Sequence, residues 1–337
     1  MNAPPDTVKS NSAIAIRAVE SNLKVTQAEI RVKGQTTYVP SVHIDGRTVI
    51  VGGGWLKMAT VQDEDLLEGD TVSDPTSFIA KLRQSELQAD VFTFFQKLPH
   101  SEPKYKLPIE WDNAAVIPIT TYSEWLEKRI ESSVRRAVKK AVKSGVTVRI
   151  AEFNDDLVRG IVNINNETPI RQGKPFWHFQ KGFDAVKLEN ATYAERNVFL
   201  GAYLQDELIG YIRMTHVDGV ANIVQLLSMM KHFDKRPANA LVAKAVEVCE
   251  QQGMTHLQYC NYVYNDPKSS LTEFKRRNGF EKVLLPRYYL PLTVKGKMAM
   301  SVGLHRGLAK CLPTPLVASL LKLRNQWYAR KVKGAEE

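Results

Sequence analysis

Apolar and polar positions follow a two-residue period in some stretches of the chain and a helical period in others, so the pattern predicts alternating strands and helices. Residues 24–51 contain strand-like runs, and Asp45-Gly46 between two of them predicts a type I′ hairpin. Asp74-Pro75 starts a predicted helix that runs to Gln88, and an apolar strand follows at 90–95. These elements predict an N-terminal α/β region over 13–112, after a polar and disordered stretch at 1–12.

The remaining pattern predicts a second domain over 113–293. A strand at 114–119 precedes a helix that Thr121 or Ser123 caps, and this helix runs to Lys143 with an apolar stripe opposite a basic face. The order then becomes β-α-β-β-β-α-β-α-β, with elements at 146–152, 155–168, 197–204, 208–215, 221–227, 237–252, 256–261, 269–277 and 281–285. This order indicates the α/β (α+β) class, with a mixed β-sheet flanked by helices.

Two segments resemble a known family. Ser269-Ser270-Leu271-Thr272-Glu273-Phe274-Lys275-Arg276-Arg277-Asn278-Gly279-Phe280 reads as a basic helix that Asn-Gly ends before a last strand, as in the acyl-CoA half of GNAT acyltransferases. Arg135-Arg136-Ala137-Val138-Lys139-Lys140-Ala141-Val142-Lys143-Ser144-Gly145-Val146 is similar to an element of Fem-type proteins. The chain therefore resembles FemAB-like acyltransferases of the GNAT fold. The resemblance implies that residues 24–115 are a reduced first GNAT half.

The resemblance implies an acyl-CoA donor at the start of the helix at 237–252. Paired glycines of the GNAT donor loop are missing there, and the residues expected to hold the donor are Gln225, Lys235, Arg236, Ala238, Asn239 and Ala240. Lys275 stands where many GNAT enzymes have a tyrosine that protonates the departing thiolate, and Tyr262 or Tyr264 are alternatives for that role. The competing interpretation of the donor site is an ordinary helix start with a solvated basic cap. The competing interpretation of Lys275 is a solvated side chain on a basic helix.

The loop at 167–179 combines a carboxylate, two cations, a histidine and aromatic residues. GNAT proteins line the acceptor pocket with this loop, so the resemblance implies that Glu167 or His178 acts as the base. Residues expected to bind the acceptor are Arg171, Gln172, Trp177, Tyr262 and Tyr288. The alternative is a rim loop whose aromatic side chains cover the core.

The net charge of +10 favours anionic partners. Residues 295–337 hold nine Lys/Arg against two Glu, and a basic amphipathic helix predicted within this C-terminal extension (294–337) suits an anionic membrane surface or its own domain. Three cysteines without CxxC spacing predict reduced thiols and no metal site. The chain shows neither a secretion signal nor a membrane-spanning run, so we expect it in the cytoplasm, with peripheral attachment to the inner membrane face.

These features predict a bacterial N-acyltransferase. It would move an acyl group from acyl-CoA to an amino or hydroxyl group of a sugar, a lipid-linked glycan or another cell-envelope precursor, as in polysaccharide biosynthesis. Direct attack is expected, because no Cys/His or Ser/His pair stands out. One alternative is a Fem-type transferase that uses aminoacyl-tRNA, although no long heptad segment supplies a tRNA arm. The other is a non-catalytic binding protein of the same fold.

Overall fold

The computed structural model describes residues 23–32, 35–171, 173–264 and 267–306. These residues form two compact units that interleave along the sequence. Unit 1 comprises the chain up to Gln62 together with Val72–Phe94 and Leu290–His305. Unit 2 comprises Asp63–Thr71, Phe95–Tyr289 and the chain from Arg306. The stretch predicted to be disordered, Gln172 and the predicted C-terminal helix lie outside the described residues.

The described part of unit 1 is built on a sheet of β-hairpins with two helices. Its elements are β1 (Thr26–Val32), β2 (Gln35–Ile44), β3 (Arg47–Gly52), β4 (Met58–Val61), α1 (Pro75–Gln84), most of β5 (Val91–Phe95) and α8 (Val294–Ser301). The predicted type I′ turn is confirmed, since Asp45 and Gly46 join β2 to β3 with φ values of 49° and 75°. The polar-apolar alternation of this region therefore produces the predicted antiparallel strands.

The described part of unit 2 is built on a mixed sheet. Its remaining strands are β6 (Ile109–Pro118), β7 (Val146–Ala151), β10 (Asn197–Leu204), β11 (Glu207–Val217), β12 (Val220–Ser228), β13 (His256–Asn261) and β14 (Glu281–Pro291), while β8 (Ile170–Arg171) and β9 (Lys174–Pro175) form a separate small hairpin. The strand order is β14-β6-β13-β12-β11-β10-β7. The β12–β13 pair is parallel and the other neighbours are antiparallel.

Helices cover both faces of this sheet. They are α2 (Tyr122–Glu124), α3 (Ser132–Lys143), α4 (Asp155–Asn165), α5 (Phe183–Asn190), α6 (Pro237–Gln251) and α7 (Ser270–Arg277). On one face, apolar residues of α3 and α6 share a core with the central strands. On the other, α4 and α5 pack against β10 and β11. Each fully buried Leu, Ile or Val in these layers stabilises the unit by roughly 1.5–3 kcal/mol.

The prediction of one continuous helix, capped by Thr121 or Ser123 and running to Lys143, is wrong. The chain forms α2, then a π-helical turn at Trp125–Arg129, and then an extended Ile130 before α3 begins. The break leaves carbonyl groups without helical partners, and the Arg135 guanidinium donates to three of them, those of Leu126, Glu127 and Ile130. Helical periodicity continues across the break, which explains why the sequence pattern did not reveal it.

Gly279 ends α7 in the left-handed region, with φ of 81°. A Cβ atom there would lie 3.2 Å from Nε1 of Trp125 and 3.3 Å from the carbonyl oxygen of Arg129. We expect Gly279→Ala to lower the free energy of unfolding by about 2–3 kcal/mol, from left-handed strain plus crowding. Gly253 ends α6 at φ of 66° with open space around it, so Gly253→Ala is expected to cost only about 1 kcal/mol. Urea denaturation of both variants measures the difference, and equal losses would contradict the crowding argument.

Candidate functional site

The central sheet of unit 2 opens between β12 and β13. These parallel strands pair only at Val220–Asn222 with His256–Gln258, although both continue for several residues. Each strand is irregular just beyond the last pair: the register of β12 against β11 skips Val224, and Cys260 of β13 has φ of 47°. Beyond the last pair the two strands diverge, and the Cys260 thiol lies 3.8 Å from the Ile223 carbonyl oxygen across the gap.

A basic cleft with a volume of ≈ 530 Å³ lies between α3, the start of α6, and α7. Its lining residues are Ser133, Val134, Arg136, Ala137, Lys140, Arg236, Asn239, Ser270, Glu273, Phe274, Arg277 and Asn278. Four of these side chains are cations, and the one carboxylate, Glu273, is bound by Arg276 and Arg277. Within the described residues, Lys140 and Arg236 have no ion-pair partner. The cleft therefore favours an anionic ligand.

The start of α6 opens into this cleft. Arg236 precedes Pro237 in the left-handed conformation, with φ of 61°, which is the conformation that glycine usually supplies. The side chain of Asn239 donates to Oδ1 of Asn278 at 3.1 Å and so fixes the helix start against the end of α7. The partial positive charge of the helix N-terminus adds to the cations around it.

The predicted donor-binding residues divide into two groups. Arg236 and Asn239 line the basic cleft, and Ala238 is half-buried beside them. Lys235 pairs with Asp234 at 3.3 Å, and the side chain of Ala240 is buried in the core. The sequence did not indicate Arg136, Lys140 and Arg277 as part of this cleft, because two of them belong to a helix that reads equally well as a solvated basic face.

Lys275 is fully buried beside the opening, which excludes the alternative of a solvated lysine. Its ammonium donates to the backbone carbonyl of Asn261 at 2.6 Å. The same group lies 4.4 Å from the ring centre of Tyr259 and 5.1 Å from that of Tyr264. Burial lowers the pKa of Lys275 to about 8, so the side chain changes charge within the physiological range.

Tyr264 and Tyr262 occupy different environments. The Tyr264 ring is exposed at the end of β13, and desolvation together with Cys260 raises the pKa of its hydroxyl, which stays protonated at neutral pH. Tyr262 packs against the core around α3 and α6, and its backbone carbonyl accepts from Thr272. Of the two tyrosines, Tyr264 is therefore the one whose side chain is accessible to a ligand in the opening.

His178 and Gln225 meet on the opposite face of the sheet, where Nε2 of His178 lies 3.5 Å from Nε2 of Gln225. The Lys181 ammonium lies 3.4 Å from Nδ1 of His178, and Oε2 of Glu189 lies 3.7 Å from the same nitrogen. Burial, followed by the charges of Lys181 and Arg171, lowers the pKa of His178 to about 4. His178 is therefore a neutral hydrogen-bonding group at physiological pH and a weak base.

The side chains of Glu167 and Arg171 are engaged in hydrogen bonds to the protein backbone and to each other. Glu167 accepts the backbone N–H groups of Met230 and Lys231 at 2.6 and 2.8 Å, and also faces Arg171. The Arg171 guanidinium donates to the carbonyl oxygens of Ser228 and Ile164. This network ties the loop after α4 to the end of β12 and so holds the rim of the opening in place.

The other predicted acceptor residues lie apart from this network. Trp177 is exposed on the loop after β9. Tyr288 is buried, and its hydroxyl donates to the Gln96 side chain at 2.9 Å and accepts the backbone N–H of Lys104. The structure brings His178, predicted as a base, next to Gln225, predicted to hold the donor, whereas Tyr288 belongs to a separate hydrogen-bonded cluster.

Sequence reasoning missed a small pocket of ≈ 10 Å³, about the volume that one water molecule needs, beside the last parallel pair of β12 and β13. Asn222 and Gln258, which form that pair, line it together with Asp65 and apolar residues. Desolvation raises the pKa of Asp65 above its ordinary value. The adjacent Glu64 bonds to Arg287 at 2.7 Å, and burial raises the pKa of Glu64 to about 7. Only the acidic run Asp63-Glu64-Asp65 hinted at this group in the sequence.

The fold is shared with solved structures. FemX has a TM-score of 0.51 with 10% sequence identity, over 84% of this chain and 92% of that chain. The C-terminal domain (DUF2156) of a protein assigned as a lysylphosphatidylglycerol synthetase from Agrobacterium fabrum has a TM-score of 0.50 with 13% identity, over 78% of this chain and 87% of that chain. No protein-family model and no curated protein matches the sequence. The predicted Fem-type GNAT fold is confirmed, and identities this low show the fold alone.

Proposed function

We propose that this chain is an acyltransferase that takes an acyl group from acyl-CoA and gives it to an amino or hydroxyl group of a sugar or other cell-envelope precursor. The observation that carries the proposal is the β12–β13 opening with a basic cleft beside it. An acyl-CoA combines an extended amide-bearing arm with phosphates. The gap between the diverging strands suits the arm, and the cations around the α6 start suit the phosphates.

In the proposed reaction the acceptor nitrogen or oxygen attacks the thioester carbonyl carbon directly. The new C–N or C–O bond forms, the C–S bond breaks, and the CoA thiolate leaves. Tyr264 gives its phenolic proton to the thiolate, and the buried ammonium of Lys275 beneath the ring stabilises the tyrosinate that develops. The acceptor's proton passes to Asp65, whose raised pKa makes it a stronger base than an ordinary aspartate.

A substitution of Asp65 tests its proposed role as the base that takes the acceptor's proton. We expect Asp65→Asn to lower kcat for transfer from acyl-CoA by about 100-fold while the Kd for CoA stays unchanged, because this carboxylate lies on the acceptor side. Transfer is followed by release of the CoA thiol with a panel of acyl chains and amino-sugar acceptors. Asp63→Asn, two residues earlier in the sequence, is the matched control and should retain activity. An equal loss in both variants, or none in Asp65→Asn, would remove Asp65 from the mechanism.

A second candidate is transfer from aminoacyl-tRNA, and the exposed basic face of α3 favours it. Arg136, Lys139, Lys140 and Lys143 are exposed along that helix, and Arg136 and Lys140 continue into the cleft. One structural neighbour is named for the synthesis of lysylphosphatidylglycerol, a lipid that carries an amino acid. Turnover separates the two candidates, since acyl transfer from CoA without RNA supports the first. A product formed only with charged tRNA, with steeply salt-dependent binding, would replace the first with the second.

A further inference from the structure

The exposed face of α8 in unit 1 is apolar. Val294, Met298 and Val302 follow one another at steps of four residues, and their exposed fractions are 77%, 66% and 64%. The opposite side of the helix carries the buried Gly296 and Ala299. An amphipathic helix of a water-exposed surface has the reverse arrangement, with large apolar residues inside and polar residues outside.

This helix cannot rotate to bury its stripe. A Cβ atom on Gly296 would lie 1.9 Å from the backbone oxygen of Asp90, so only glycine permits the observed approach. The Asp90 carboxylate also accepts from the Thr293 hydroxyl at 3.0 Å and pairs with Lys295 at 2.8 Å. Backbone contact and polar bonds therefore fix α8 with its apolar stripe outward.

Aromatic and basic side chains border the stripe. Trp55 is 65% exposed, and the Lys295 ammonium lies 5.3 Å from its ring centre. Lys297 is exposed on the other border and has no ion-pair partner within the described residues. Apolar residues flanked by lysines, with an amphipathic tryptophan beside them, have the composition of helices that lie in the headgroup region of a bilayer.

We propose that the stripe formed by Val294, Met298, Val302 and Trp55 is a docking surface for a membrane that contains anionic lipids. Charge complementarity selects this occupant, since Lys297 has no ion-pair partner within the described residues and attracts anionic headgroups, whereas the Lys295 charge is paired with Asp90. Residues 307–337 of the same chain carry six Lys/Arg and two Glu. Their net positive charge matches that of the lysines beside the stripe, so charge attraction does not favour this segment as the occupant. Within the described residues no helix is long and apolar enough to cross a bilayer, and the proposed contact is at the surface.

Vesicle flotation of the full chain tests the proposal. The wild-type protein should float with vesicles of phosphatidylglycerol mixed into phosphatidylcholine and stay behind with pure phosphatidylcholine. Met298→Asp should lower the floated fraction by about fivefold or more, because it places a charge in the apolar stripe, and Lys297→Glu should also weaken binding. The matched control is Leu188→Asp, at a 60% exposed position on α5 in unit 2, which should behave as the wild type. Absence of wild-type binding, or unchanged binding of Met298→Asp, overturns the proposal.

A fluorescent label at position 298 distinguishes the other occupants. An environment-sensitive probe on Met298→Cys, in a full chain with Cys260→Ser and Cys311→Ser, should report water in solution and an apolar medium only after anionic vesicles are added. An apolar signal without vesicles means that another part of the chain or a second copy covers the stripe. Either occupant would replace the membrane proposal. A signal that grows with protein concentration indicates a second copy, and a signal independent of concentration indicates another part of the same chain.

Discussion

Replacing Lys275 by methionine is expected to lower kcat/KM for acyl transfer by about 100-fold while the free energy of unfolding stays about equal. The activity loss follows because methionine keeps the shape of the buried chain but removes the ammonium beneath the Tyr264 ring. Stability is retained because the folded protein no longer holds a desolvated charge, and the Asn261 carbonyl, at an exposed residue, can bond to water instead. Steady-state kinetics and urea denaturation measure the two effects.

The pH dependence identifies the charge state that acts. Because burial lowers the pKa of Lys275 to about 8, the ammonium is present below that pH and is lost as the pH rises through it. Activity of the wild type should therefore fall above about pH 8, and Lys275→Met should lack this decrease. For stability the sign is opposite. The unfolded chain holds its lysine proton to a higher pH than the folded chain does, so this group makes the free energy of unfolding rise between about 8 and the ordinary lysine value.

A double-mutant cycle with Tyr264→Phe tests whether the two residues act together. If the Lys275 charge works through the Tyr264 hydroxyl, the double variant should be no slower than the slower single variant. Additive losses would show that Lys275 acts independently of Tyr264. Wild-type activity in Lys275→Met would remove the lysine from the mechanism, while an unfolded variant would be recognised by its denaturation curve and replaced by Lys275→Leu.

The strand and helix order of unit 2 was predictable because each element carries its own period and end signals. The predicted strand at 256–261 matches β13, and the helix predicted from Pro237 ends one residue earlier than expected. Short or context-dependent elements were missed. No element was predicted between 168 and 197, yet this segment contains β8, β9 and α5. The eight-residue α8 was missed because it is short and carries Gly296, a weak helix former, in its interior. Burial of Gly296 against Asp90 is a tertiary property that no local pattern reports.

The candidate site was predictable only where one segment supplies several residues. Arg236 and Asn239 belong to one helix start, and both line the cleft. Asp65 comes from a segment about 160 residues before Asn222 and about 190 before Gln258, its pocket partners on β12 and β13, and nothing in the sequence connects them. The buried state of Lys275 also depends on packing: its neighbours Arg276 and Arg277 on the same helix are exposed to solvent and pair with Glu131 and Glu273.

Removing cations from the basic cleft is expected to weaken donor binding by about tenfold for each charge that contacts a phosphate, the effect of one lost charge-assisted hydrogen bond. Lys140→Gln with Arg236→Gly should therefore raise the Kd for CoA by about 100-fold. Glycine is chosen at 236 because it adopts the left-handed conformation observed there, so stability should be unchanged or slightly higher. Titration calorimetry with CoA measures the loss.

The matched control removes a neighbouring charge that does not line the cleft. Lys139 is exposed on α3, next to Lys140 in sequence, and Lys139→Gln should leave the Kd for CoA within about twofold of the wild type.

Raising the salt concentration should weaken CoA binding to the wild type more than to the double variant, since fewer charges remain to be screened in the double variant. If both proteins bind CoA equally, the phosphates lie elsewhere. If Lys139→Gln weakens tRNA binding while CoA does not bind to the wild type at all, the basic face of α3 serves a nucleic acid, and the cleft is the end of a longer polyanion site.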